Sequence, residues 1–344
     1  MGFPRYLRRL LLSLTLSLAA VVLIFVFTGS HRTIAALAEL KPSYIGLLLL
    51  LSLAGIALDG ARILFLVRAA DGAISFWQGC KLGVLGVFGN LVTPFSTGGH
   101  VAIVYILRQQ RLPSGRGASV VLTRLLASGV FVLSGAILSL LSFGHLVTQE
   151  PAIRRVMLAT GIVFLALCAL AVAALLNPRV LAGLGAVSGR VLSRIGMLRR
   201  RRRFQQRVNR HVLHARNSFR RFFSAHAALL GWALLCSASF YVTQVLLLWA
   251  VLRALSLPTS LLQGLALSAL LIFLLSFLPT PGGSGLGEAL FVLVYSAAVP
   301  THLLGVAVVL WRVFYQYLPA AMGAVVAASH SGALFSQEGN ARSG

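Results

Sequence analysis

The feature that most constrains this chain is a series of apolar runs, each long enough to cross a bilayer. Spanning about 30 Å of hydrocarbon takes about 20 apolar residues in a helix. Six segments reach that length: Leu7–Thr28, Tyr44–Leu66, Ala118–Phe143, Arg155–Leu176, Ala225–Leu252 and His302–Ala328. With 58% hydrophobic and 10% charged residues, the sequence carries more apolar surface than a soluble interior of this size can hide. The expected class is an all-α polytopic membrane protein. The apolar run after Arg5, Arg8 and Arg9 is longer than that of a secretory signal and lacks its small-residue cleavage site, so it reads as an uncleaved first helix.

The charge layout supports this reading. The formal net charge is +24, and a chain so basic invites a nucleic-acid reading. However, thirteen arginines fall between Asn177 and Ser224, a stretch without an acidic residue, and most others sit at the ends of apolar segments. That is the positive-inside pattern, with attraction to anionic headgroups, and no nucleic-acid partner is expected. Within the basic stretch Phe204, Val208, Val212, Ala215, Phe219 and Phe222 recur at helical spacing, with Arg203, Arg207, Arg210 and Arg221 off the stripe. An amphipathic helix in the inner headgroup plane and an unstructured topology determinant both fit.

Two further apolar regions, Phe76–Leu107 and Leu261–Val299, are broken at mid-length. The breaks are Thr93-Pro94-Phe95-Ser96-Thr97-Gly98-Gly99 and Pro279-Thr280-Pro281-Gly282-Gly283-Ser284-Gly285. Irregular backbone at membrane depth survives only inside protein or against a wet cavity. Each region is therefore expected to be a re-entrant hairpin of two half-helices whose tip marks a core or a site. The two regions also match each other. Gln78-Gly79 and Gln263-Gly264 precede Pro94 and Pro279 by the same intervals. Val120-Val121-Leu122-Thr123-Arg124 matches Val308-Val309-Leu310-Trp311-Arg312, at offsets of 185 and 188. This is read as an internal duplication.

Counting crossings with the Arg-rich stretch inside gives the two halves opposite orientation, an inverted repeat of three helices and one hairpin each. The expected organisation is residues 1–143 and 153–328, with the basic insert 177–224 in the second half, a short tail 329–344, and both termini cytoplasmic.

A guanidinium at bilayer depth costs at least ~2.5–3.5 kcal/mol, so Arg124 and Arg312 need a partner or a role. They are read as paired anchors for a lipid phosphate or as structural groups satisfying hairpin carbonyls. Glu288, the sole acidic residue between Glu150 and Glu338, falls in the first turn of a half-helix. It is read either as favoured there by exposed N–H groups or as the partner of a headgroup amine, of Arg312 or of a proton. Gly98-Gly99 and Gly282-Gly283 either present N–H groups to an anion or pack the hairpins tightly.

Asp59 and Arg62, one turn apart, form an expected self-neutralising pair. Lys81 and Arg253 read as interfacial, and His100 as a hydrogen-bonded core group rather than a metal ligand. Cys80, Cys168 and Cys236 are isolated in apolar segments, without metal spacing. No enzyme signature, metal site or cofactor motif is visible, so the expectation is a transporter without cofactors.

Leu278-Pro279-Thr280-Pro281-Gly282-Gly283-Ser284-Gly285-Leu286-Gly287-Glu288-Ala289 resembles the Pro-Gly-Gly-x-Gly-x-x-Glu segment of the lysylphosphatidylglycerol synthase transmembrane, or flippase-like, family. Asn90-Leu91-Val92-Thr93-Pro94 with Gly98-Gly99, and Arg62, resemble it too. The resemblance covers nearly the whole chain. It implies a lipid translocator of a prokaryotic inner membrane. Its expected substrate site comprises Asp59, Arg62, Thr93, Pro94, Gly98, Gly99, Arg124, Pro279, Thr280, Pro281, Gly282, Gly283, Glu288 and Arg312. The 16 residues after Ala328 leave no room for the soluble domain of the large members, so synthase activity is expected to be absent.

Many relatives place a basic residue just before the Glu, where this chain has Gly287, and an Arg shortly after the first glycine motif, where it has His100. The headgroup is therefore left open. The expected partners are anionic membrane lipids and a separate lipid-modifying enzyme. Rival readings are a polyprenyl-phosphate-sugar or hopanoid carrier, a scaffold acting through the basic loop, and an intramembrane transferase.

Overall fold

Long apolar segments without a mid-length Pro/Gly cluster become long helices; segments with one become pairs of short ones. The computed structural model describes residues 40–93, 96–147, 226–296 and 298–341, with a few single helical positions between 155 and 183. Apart from those positions, the first helix, the Arg155–Leu176 helix and the basic insert lie outside the described residues, as do Pro94 and Cys168.

Every regular element among the described residues is helical. In chain order they are α1 (Pro42–Ala69), α2 (Phe76–Leu91), α3 (Gly98–Gln109), α4 (Ser114–Val147), α5 (Ala227–Ala254), α6 (Leu261–Leu275), a 3₁₀ turn (Pro281–Gly283), α7 (Leu286–Tyr295) and α8 (Thr301–Arg312). A single π turn (Val313–Tyr317) then leads into α9 (Leu318–Ala341). Among the described residues four stretches are long and apolar enough to cross a membrane: Pro42–Ala69, Ser114–Ser139, Ala227–Ala254 and Thr301–Ser329. Helix α9 continues to Ala341. Outward-facing Leu50, Leu138, Leu141 and Val325 are 63%, 63%, 79% and 70% exposed, the exterior of a protein whose solvent is lipid.

The offsets between the matched sequence tags recur in element boundaries. Helices α1 and α5 each have 28 residues and start 185 positions apart. Both are followed by a residue in the left-handed region, Asp71 (φ 55°) and Ser256 (φ 59°), and then by a serine N-cap. The Gln78 N–H donates to Ser75 Oγ and the Gln263 N–H to Ser260 Oγ, each at 3.2 Å. Helices α3 and α7 start 188 positions apart, the same interval as Arg124 and Arg312.

The matched helices α1 and α5 pack side by side and run antiparallel. The Lys41 N–H meets the Ala254 carbonyl at one end (3.4 Å), and His226 Nε2 meets Asp71 Oδ1 at the other (3.1 Å). The α2–α3 pair accordingly opens at the Asp71 end, and the α6–α7 pair at the Lys41 end.

Helices α2 and α3 fold back on each other through glycine. A Cβ on Gly99 would overlap the Gly86 carbonyl, and one on Gly89 would lie 2.8 Å from the Gly99 nitrogen. Gly99→Val is therefore expected to cost about 1–3 kcal/mol through overpacking, read as a lower detergent-denaturation midpoint. Two apolar clusters result: one near the Asp71 end around Ile63, Leu66, Ile103 and Leu107, the other near the Lys41 end around Leu248, Leu271, Phe291 and Trp311. The polar groups collect between them.

Candidate functional site

Between the two clusters lies a cavity of about 440 Å³. That is drug- or headgroup-sized, too small for a whole lipid with its acyl chains. Asp59, on its wall, is roughly 25 Å along a helix about 42 Å long, at ~1.5 Å per residue. The site is therefore at mid-depth of the bundle.

At one end of the cavity Asp59 holds two arginines. Arg62, one turn on, forms an ion pair with Oδ1. Arg124, from α4, grips the carboxylate with both faces of its fork: Nε donates to Oδ1 at 3.2 Å and Nη2 to Oδ2 at 2.7 Å. Arg62 also lies over the Phe240 ring, 4.8 Å from its centroid, and Nη1 donates to Ser128 Oγ at 3.4 Å. The Asp59–Arg62 pair is thus not self-contained. Three charges, two positive and one negative, sit in one buried cluster.

At the other end the second glycine motif wraps around Arg312. Gly282 and Gly283 both adopt left-handed backbone, φ 60° and 68°, which side chains disfavour. The pair turns its carbonyls inward. Arg312 Nη1 donates to the Gly282 carbonyl at 3.1 Å and Nη2 to the Gly283 carbonyl at 2.9 Å. Glu288, fully buried on α7, completes the shell with Oε2 2.9 Å from Nη2. Arg312 also bonds Gln316 Oε1, while Gln316 Nε2 donates to the Gly282 carbonyl at 2.9 Å.

The π turn begins immediately after Arg312. Such a turn leaves carbonyls without their usual helical donors, and Ser52 Oγ donates to Phe314 O at 2.7 Å from α1. The guanidinium of Arg312 also occupies the space a side chain at Gly287 would need. A basic residue before Glu288 and this placement of Arg312 are sterically exclusive.

These geometries correct several expectations. The two arginines are not equivalent anchors: Arg124 holds a side-chain carboxylate on another helix, whereas Arg312 is enclosed by motif carbonyls and Glu288. Of the roles considered for Glu288, the geometry shows the ion pair with Arg312. The glycine motifs do not offer N–H groups to an anion. The Gly98 N–H donates to Thr93 Oγ1 at 2.7 Å and the Gly99 N–H to Asn90 Oδ1 at 2.9 Å. The second motif turns carbonyls, not donors, toward the cavity side. His100 is not a satisfied core group, because its buried Nδ1 has no hydrogen-bond partner and the residue lines the cavity.

Asp59, Arg62, Arg124, Gly282, Gly283 and Arg312 line the cavity together; Glu288 lies behind Arg312. Thr93, Gly98, Gly99, Pro279, Thr280 and Pro281 shape the helix breaks and do not line it. Sequence reasoning passed over Gln244, Gln316, Tyr241 and Tyr315, which do. Gln316 stands one turn after Arg312, and Gln244 is a lone amide in an apolar run, so both left a signal.

Fold and site together define a polytopic helical membrane protein with a charged cavity at mid-depth between two broken helix pairs. Residues 10–323 match the family described as lysylphosphatidylglycerol synthase TM region, and the chain belongs to it. Among similar proteins are a UPF0104 membrane protein of Archaeoglobus fulgidus, 22% identical, with the match covering 92% of this chain and 95% of that one. Another is a UPF0104 membrane protein of Methanocaldococcus jannaschii, also 22% identical, covering 90% and 91%.

Proposed function

We propose that the protein is a lipid translocase rather than an enzyme, passing a phosphate-bearing lipid headgroup across a prokaryotic inner membrane through this cavity. The observation that carries the reading is the charge balance. Among the described residues Arg312 is matched by Glu288, but Arg62 and Arg124 share one carboxylate, leaving one positive charge in excess in a buried cluster. An uncompensated charge at low dielectric strongly favours a counter-ion. A phosphodiester supplies it, and a neutral hopanoid does not. The cavity admits a headgroup while the tails remain in lipid.

The antiparallel packing of matched helices supports an inverted repeat, six spans in all, in which the broken pairs are re-entrant from opposite faces. Movement of one half against the other would expose the cavity alternately. Arg68, Arg108, Arg111 and Arg116 cluster at the Asp71 end, adjoining the residues that follow the basic insert, which favours that end, and both termini, as cytoplasmic. Cysteines placed by Arg111→Cys and Thr301→Cys should react with impermeant reagent from opposite sides. Reaction of both from one side would remove the inverted arrangement.

Transport is tested by reconstituting the protein in phosphatidylcholine vesicles with a trace of acyl-labelled phosphatidylglycerol and following loss of label from the inner leaflet. Wild type should equilibrate the label at least tenfold faster than empty vesicles, and Arg124→Gln should lose most of that rate. An unchanged rate in a correctly folded Arg124→Gln protein would discard the mechanism.

A further inference from the structure

The polar inventory of the cavity narrows the headgroup. We propose that it takes a headgroup that is net negative and rich in hydroxyls, a polyol or sugar phosphate, and rejects headgroups bearing a free amine. This rests on the lipid-translocase reading and adds to it the chemical class of the cargo.

The first support is the fate of each carboxylate. Bringing an ammonium into a buried site that already carries excess positive charge is strongly unfavourable unless an anionic group there is free to pair with it. Among the described residues three acidic side chains are placed. Asp59 is already bracketed by Arg62 and Arg124. Glu288 is fully buried against Arg312 and does not line the cavity. Asp71 lies outside, at the exposed end of α1, held by Arg116 at 3.3 Å and by His226 at 3.1 Å. Among the described residues no carboxylate in the cavity is left without a guanidinium partner, while the wall carries the guanidiniums of Arg62, Arg124 and Arg312. A headgroup carrying an aminoacyl ester would meet net repulsion where a simple phosphodiester meets net attraction.

The second support is independent of charge. Besides the arginines the wall offers groups that both donate and accept: the Gln244 amide, the hydroxyls of Tyr241, Tyr315 and Ser96, and the imidazole of His100. The His100 Nδ1 is buried without a hydrogen-bond partner, so this polar group of the wall is not already engaged by the protein. A quaternary or methyl-capped headgroup leaves such groups unpaired; a glycerol or sugar pairs with them. The tyrosine rings add flat faces suited to the C–H surfaces of a sugar.

The test uses the full-length protein in neutral detergent, with binding read by tryptophan fluorescence, since Trp311 lines the cavity. The probes are dihexanoyl-phosphatidylglycerol, its lysyl ester, dihexanoyl-phosphatidylmethanol and farnesyl phosphomannose. Phosphatidylglycerol or the sugar phosphate should bind at least tenfold tighter than the lysyl ester and at least threefold tighter than phosphatidylmethanol, which has the same charge without hydroxyls. The tighter of the first two identifies polyol or sugar as the source. Gln244→Leu should narrow the gap to phosphatidylmethanol while leaving the lysyl ester weak.

Lysyl ester binding as tight as phosphatidylglycerol overturns the proposal but leaves lipid translocation standing. So does phosphatidylmethanol binding as tight as both hydroxyl-bearing probes. Failure of every lipid to bind overturns the proposal and the translocase reading together.

Discussion

Asp59→Asn is expected to lower the stability of the folded protein by about 3–5 kcal/mol, the range for removing one partner from a buried ionic cluster. The carboxylate is the shared acceptor of Arg62 and Arg124, from α1 and α4. Without it two guanidiniums face each other in a low-dielectric interior with only neutral groups near them. Arg62 would keep Ser128 Oγ and the Phe240 face; Arg124 would lose the bidentate, charge-assisted grip, since Asn offers one neutral acceptor oxygen and an NH2 donor in place of the other. The measurement is a denaturation midpoint in mixed detergent micelles, with helix content followed by circular dichroism. Adding Arg124→Gln to Asp59→Asn should restore part of the loss, because only one cation is then left unmatched. Strict additivity of the two substitutions would show that the cluster is not energetically coupled.

Arg312→Gln is expected to have an effect of similar size, about 3–5 kcal/mol, for two separate reasons. Glu288 would be left as a fully buried carboxylate without its cation. The Gly282 and Gly283 carbonyls, turned inward by left-handed backbone, would lose charged donors, each unsatisfied group costing ~1–3 kcal/mol. Arg312→Met with Glu288→Met separates these contributions: it removes the charge problem but not the carbonyl problem. The double variant should be more stable than Arg312→Gln alone and less stable than wild type. Equal stability of the double variant and wild type would show that the motif carbonyls find water or other donors.

The two arginines also predict different functional behaviour. Arg312 organises the turn, so its loss should appear as unfolding. Arg124 faces the cavity as part of an overcharged cluster, so a folded Arg124→Gln protein should lose lipid movement. Equivalent anchors, as the matched sequence tags suggest, would fail in the same way.

Much of this architecture could be read along the chain. Apolar runs set the helices, because insertion depends on hydropathy summed over a segment and needs no knowledge of neighbours. Pro94 with Gly98-Gly99, and Pro279 to Gly285, announced the breaks through missing donors and unusual backbone freedom. Asp59, Arg62, Arg124, Glu288 and Arg312 stood out because a charge in an apolar run is costly wherever it points. The 185- and 188-residue offsets, found first in two short tags, proved to relate helix lengths, left-handed turns and serine caps as well.

The pairing of those charges was decided only by tertiary structure. Asp59 and Arg124 are 65 positions apart and meet because of the depth and rotation at which α1 and α4 pack. The direction of the glycine motifs was also hidden. Whether a glycine turn presents N–H or C=O groups depends on φ and ψ at each residue, and at Gly282 and Gly283 both are positive in φ, turning carbonyls onto Arg312. One-dimensional properties such as hydropathy, charge and breakers determined what must be buried. The relative placement of helices determined which buried charge met which, and so left the described cavity wall with one positive charge in excess.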